Sequence, residues 1–186
     1  INEALERAEA LIADGKIDEA EALLSELVGQ GNSHVGTLLG VVNYLQGDYS
    51  EASVLLEEYL DAETASSQAI ELLVNAKLRI QELDEVMAIL DAALDANPNS
   101  ARLLGLTGLV KLAQGDESGV ELITKALTLE PNNSRLRLAL VSHASQRGDT
   151  HAALNEARLA YTYAPENIQV QGALLGQLIA NREFIE

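Results

Sequence analysis

The sequence predicts an all-α solenoid of antiparallel helix pairs, about five and a half of them. Three observations carry this. A short polar break recurs along the chain, its second residue falling at 15, 47, 81, 115, 148 and 182, in steps of 32, 34, 34, 33 and 34 residues. Apolar residues between the breaks stand three and four positions apart, as in Leu23, Leu24 and Leu27, Leu55, Leu56 and Tyr59, or Ile89, Leu90 and Ala93. The composition fits close-packed helices: 47% hydrophobic, 3% aromatic, no Trp and three Pro in 186 residues.

The breaks within pairs read Asp14-Gly15, Gln46-Gly47-Asp48, Gln81-Glu82, Gln114-Gly115-Asp116, Arg147-Gly148-Asp149 and Asn181-Arg182. Gly ends a helix in the left-handed conformation at little cost, and the acid after it suits the start of the next helix. Second breaks separate the pairs: Gly29 to Asn32, Glu63-Thr64, Asn97-Pro98-Asn99-Ser100, Pro131 to Ser134 and Ala164 to Asn167. There Pro stops one helix, and Ser or Asn caps the next. Helices are expected at 2–13, 17–28, 33–45, 50–62, 67–79, 84–95, 100–113, 118–129, 134–146, 150–163 and 167–180. The repeats then run 1–32, 33–66, 67–100, 101–133, 134–167 and, in part, 168–186, and the expectation is a single solenoid domain that is a fragment of a longer protein.

The formal charge is −17. Residues 1–66 hold 14 acids and 2 bases, residues 67–133 hold 10 and 5, and residues 134–186 hold 5 and 5. No basic stripe exists to neutralise phosphates, so a nucleic-acid partner is excluded. An anionic membrane surface would repel the N-terminal half, and no apolar run is long enough to span a bilayer. Without cysteine, disulfides and thiolate metal sites are ruled out.

These features resemble the tetratricopeptide repeat family over the whole chain. Its small residue early in the second helix corresponds to Ala20, Ala52, Val86, Gly119 and Ala153. Its second small residue, two turns on, corresponds to Ala93, Ala126 and Ala160, with Leu27 and Tyr59 departing from the pattern. Leu-Gly of the first helix stands whole at Leu39-Gly40 and in part at Leu73 and Gly108, and the Pro after the second helix is met at Pro98, Pro131 and Pro165. The large aromatics usual in the first helix are missing. More narrowly, the run from Tyr44 to Leu60, the Arg-Gly-Asp-Thr at 147–150 and the segment ending at Phe184 resemble the tetratricopeptide lipoprotein of bacterial PEP-CTERM/exosortase and exopolysaccharide systems. That likeness implies a bacterial cell-envelope location; without it the cytoplasm is the expectation.

No catalytic constellation is evident, and no enzyme activity, cofactor or metal is expected. His34, His143 and His151 lack metal-ligand spacing. Glu57-Glu58 and Asp84-Glu85 read as solvated second-helix acids. Arg147-Gly148-Asp149 reads as an ordinary repeat break. Gly36, Gly40, Gly105 and Gly108 read as places of close helix packing.

The family resemblance implies a scaffold for a peptide or protein, held on a concave face lined by first helices. Helical spacing puts His34, Thr37, Val41 and Tyr44 there in the second repeat and Glu71, Asn75 and Arg79 in the third. Arg102 and Leu109 follow in the fourth, and Arg135, Leu138 and Ser142 in the fifth. Asn75 offers a donor and an acceptor to a peptide backbone, and the arginines offer bidentate contacts to carboxylates. An acidic or C-terminal segment is the expected ligand, although the Lys-Asn carboxylate clamp of some family members is absent. The alternative is a structural module that self-associates. Gln171 to Phe184 reads as a first helix without its partner, leaving Leu174, Leu175 and Leu178 half covered, so a contact between chains or raised mobility is expected there, with a homodimer as one outcome.

Overall fold

The computed structural model describes residues 2–60 and 65–181. Eleven helices occupy them: α1 Asn2–Ala13, α2 Ile17–Val28, α3 Ser33–Gln46, α4 Tyr49–Tyr59, α5 Ser67–Arg79, α6 Leu83–Ala96, α7 Ala101–Ala113, α8 Ser118–Leu129, α9 Ser134–Gln146, α10 Thr150–Tyr163 and α11 Ile168–Ala180. No strand occurs among the described residues. The chain divides into two compact units, Ile1–Pro98 with α1 to α6 and Asn99–Glu186 with α7 to α11.

The breaks fall where the sequence puts them. Gly15, Gly47, Gly115 and Gly148 take φ between +74° and +88°, and Gln81 takes the same left-handed turn at φ +64° without the glycine that makes it cheap. First helices start on side-chain caps: Asn32, Ser66, Ser100, Asn133 and Asn167 each accept a hydrogen bond from a backbone N–H of the first turn. Asp48 and Asp149 cap α4 and α10 in the same way. Ser100 and Asn167 are therefore caps rather than helical residues. The fourth helix ends sooner than expected, at Tyr59, because Leu60 turns extended at ψ 128°. The break at Glu63-Thr64, the last turn at Arg182 and the run to Phe184 lie outside the described residues.

The small positions of the repeat are where second helices meet first helices. Ala20, Ala52, Val86 and Ala153 are completely buried, as are Ala126 and Ala160, and Gly119 is buried too. In unit 1, α1, α2, α3 and α4 enclose Leu5, Ala8, Ala20, Leu24, Val35, Leu39, Val42 and Leu55. In unit 2, Val141 and Ala144 of α9 pack on Ala153 and Ala157 of α10, with Leu174 of α11 against them.

The glycines of the first helices mark close approach. A Cβ on Gly40 would lie 2.8 Å from the Leu56 side chain, and one on Gly108 would lie 2.8 Å from the Gly119 carbonyl oxygen. Gly36 explains the departure at Tyr59. The tyrosine ring fills the space a side chain at 36 would need, so a large residue on α4 is matched by none on α3.

Candidate functional site

Within each unit the first helices touch one another: α1, α3 and α5 in unit 1, and α7, α9 and α11 in unit 2. The twelve residues read from the sequence as a binding face are all exposed or half-buried, and they divide between the units.

In unit 1, α3 presents His34, Thr37, Val41 and Tyr44, and α5 presents Glu71, Asn75 and Arg79. His34 Nε2 lies 3.1 Å from Glu9 Oε1 of α1, so the histidine ties two first helices together. The Thr37 hydroxyl donates to the Ser33 carbonyl at 2.9 Å, a back-bond within its own helix. Tyr44 meets the edge of Tyr49 at 5.3 Å between centroids, and the Arg79 guanidinium stands 5.4 Å above the Tyr49 ring. Tyr49 thus joins two of the expected site residues, a role that sequence spacing alone did not indicate, since it starts a second helix.

In unit 2, Arg102 and Arg135 are exposed, each two residues after the cap of its helix. Both already make contacts of their own. Leu109 and Leu138 are half-buried, and the exposed Ser142 hydroxyl lies 3.4 Å from Gln146 Nε2. On the same helix as Arg135, Arg137 has the opposite fate. It is buried, donating to the Pro131 carbonyl at 2.9 Å and to Glu156 at 3.1 Å, with its guanidinium 5.0 Å from the Tyr163 ring centre.

Two charged arrangements lie away from these faces. Lys77 of α5 is 1% exposed and donates to Glu57, Glu82 and Glu85, so two of the acids expected to be merely solvated are tied to a buried cation. In unit 2, Glu117 takes His143 at 3.0 Å and Arg147 at 2.9 Å, on the wall of a cleft of about 380 Å³ between α8, α9 and α10. Asp149 caps α10, so both charges of the Arg-Gly-Asp run serve the repeat itself.

Among the described residues no cluster of His, Cys, Asp and Glu has the makings of a metal site, and no helix is long and apolar enough to cross a membrane.

Residues 44–110 match the tetratricopeptide repeat family. The fold is shared with solved structures along nearly the whole chain. A thermophilic tetratricopeptide protein of Thermus thermophilus aligns with TM-score 0.73 and 21% identity over 96% of this chain and 98% of its own. PilF of Pseudomonas aeruginosa aligns with TM-score 0.81 and 14% identity over 98% of this chain and 84% of its own. YrrB, a tetratricopeptide protein with an unusual peptide-binding site, aligns with TM-score 0.71 and 14% identity over 91% of this chain and 89% of its own. At these identities the likeness is one of fold.

Proposed function

Since the chain is built of tetratricopeptide repeats, a fold that serves as a protein-interaction scaffold, we propose that it binds peptide or protein segments on its first-helix faces. Tetratricopeptide proteins are typically non-catalytic, and the same is proposed here. The supporting observation is the placement of polar side chains on adjoining first helices. In unit 1, Asn75 offers a donor and an acceptor to an extended backbone, and Val41 and Tyr44 offer apolar contact.

For unit 2 the proposed ligand is an acidic or C-terminal segment. Arg102 and Arg135 occupy the same position on neighbouring helices, and residues 99–186 carry 9 acids against 8 bases, so little surplus negative charge opposes such a ligand. A ligand carboxylate would join or exchange the contacts these residues already make. The test is affinity selection of peptides with the whole chain, followed by titration of the best binder against the Arg102→Ala, Arg135→Ala double variant. Charge-assisted contacts contribute on the order of 1.5–3 kcal/mol when desolvated, so a loss of roughly tenfold or more is expected, together with weakening by salt. Unchanged affinity would overturn the reading.

The cellular setting we propose is the bacterial cell envelope, in exopolysaccharide export or protein sorting. Its support is the sequence runs at Tyr44 to Leu60 and 147–150.

A second reading, self-association, is favoured by α11. Ile168, Leu175 and Ile179 are 81%, 59% and 55% exposed there. Leu175 occupies the position held by the buried Gly40, Val74, Gly108 and Val141, which in the earlier pairs faces the second helix. Light scattering separates the readings: a tight dimer that Leu175→Lys dissociates supports assembly, and a monomer supports the open scaffold.

A further inference from the structure

The charge of unit 1 is spread unevenly over its helices. Residues 1–98 hold 20 acids and 4 bases. The second helices α2, α4 and α6 contain no Lys or Arg at all, while α4 carries Glu51, Glu57 and Glu58 and α6 carries Asp84, Glu85, Asp91 and Asp95. Lys77 offsets Glu57 and Glu85, which it holds together with Glu82, but it does not hold Glu51 and Glu58 of α4 or Asp84, Asp91 and Asp95 of α6.

Between α4 and α6, with α5 as its floor, opens a cleft of about 310 Å³. Its apolar lining is Leu60, Ile70, Leu73, Ala88, Ile89 and Ala92, with Glu57 at the edge. Ala88 and Ala92 are exposed, and their short side chains leave the space open along that side of α6. Asp84, Asp91 and Asp95 stand three or four residues from these alanines, on the same side of the helix.

We infer that this cleft docks a basic amphipathic segment of a partner protein, one large apolar side chain entering between α4 and α6 while flanking Lys or Arg meet Asp84, Asp91 and Asp95 along α6. The chemistry follows from complementarity of two kinds. The lining rewards burial of an apolar group, and the acidic rim, without a basic residue on either bounding helix, selects for cationic neighbours and against anionic ones. The other cleft, between α8, α9 and α10, lacks this selectivity, because its own lining includes a base: Arg147 pairs with Glu117, while Glu156 pairs with Arg137 and Asp149 caps α10.

The experiment uses the whole chain and a fluorescent synthetic peptide with Leu at helical spacing and Lys elsewhere, read by anisotropy. Two control peptides carry Glu for Lys, or Ser for Leu. Binding of the Leu/Lys peptide is expected, with each control at least about tenfold weaker. Ala88→Trp and Ala92→Trp fill the cleft from exposed positions and should each weaken binding about tenfold, with helicity checked by circular dichroism. The Asp91→Lys, Asp95→Lys double variant tests the rim without touching the lining and should do the same. Arg102→Ala with Arg135→Ala should leave this binding unchanged, which separates it from the unit 2 reading. The inference is overturned if the Leu/Lys peptide does not bind, if the Ser/Lys peptide binds equally well, or if filling the cleft or reversing the rim leaves affinity unchanged.

Discussion

The Lys77 ammonium lies 2.6 Å from the Glu85 carboxylate, and this contact ties the inside of α5 to the start of α6. Glu57 of α4 at 3.0 Å and Glu82, the residue before α6, at 3.2 Å complete the set. Burial opposes the charge on Lys77, but the hydrogen bonds it donates to Glu85, Glu57 and Glu82 outweigh it and raise the pKa above the ordinary lysine value. A raised folded pKa means that the stabilisation is complete below the ordinary value and is lost only as pH rises through the folded one, in strong alkali. Lys77 is therefore a charged clasp at every pH where the fold is used.

Packing and charge at this clasp are separable. The three carboxylates are 54–60% exposed, so removing the lysine leaves acids that water can solvate rather than stranded buried charges. Most of the cost should come from the buried aliphatic stem. Lys77→Ala is expected to destabilise unit 1 by about 2–4 kcal/mol, and Lys77→Met, which keeps a long apolar side chain, by less than half of that. Urea unfolding followed by circular dichroism gives both values. Equal losses in the two variants would show that charge, not packing, dominates.

Asp116 gives a prediction in the acid range. Hydrogen bonds from the Lys111 ammonium and from the side chain and backbone N–H of Ser118 lower its pKa from the ordinary 3.8 to about 2. The lysine contact is 2.8 Å. Because the folded pKa is depressed, the stabilisation is present above 3.8 and disappears as pH falls through about 2. Carbon NMR of the side-chain carboxyl should show a titration midpoint near 2, rising toward the ordinary value in Lys111→Met. A midpoint at 3.8 in the unaltered protein would refute the assignment.

Much of the fold was legible because its signals are local. Gly47 followed by Asp48 carries both a left-handed helix end and the next helix's cap within two residues, and Ser100 or Asn133 caps from its own first turn. Where the signal is absent the repeat still carries the turn, as at Gln81. The pairing of side chains was less legible. Helical spacing puts Asn75 and Arg79 on one side of α5 and Lys77 on the other, but the acids that hold Lys77 come from α4 and from the start of α6. Likewise nothing adjacent to Arg79 announces Tyr49, thirty residues earlier. Spacing names the face; only packing names the partner.

The glycines of the first helices permit a prediction of opposite signs from one kind of substitution. A Cβ on Gly119 would lie 2.5 Å from the Gly108 carbonyl oxygen and 3.0 Å from the Leu112 backbone nitrogen, so α8 crosses α7 with backbone nearly on backbone. Backbone cannot swing aside as the end of a side chain can, and Gly119→Ala must push the two helices apart. Overpacking of this kind costs about 1–3 kcal/mol, more than the roughly 0.5–1 kcal/mol that alanine gains over glycine within a helix. Gly172 and Gly176 of α11 are helical as well, yet a Cβ on either meets nothing within 4 Å. There only the gain remains, and Gly172→Ala should stabilise unit 2 by about 0.5–1 kcal/mol. Thermal and urea unfolding of both variants should therefore shift in opposite directions. A stabilising Gly119→Ala would mean that α7 and α8 have slack at their crossing. A destabilising Gly172→Ala would mean that another chain already lies against α11.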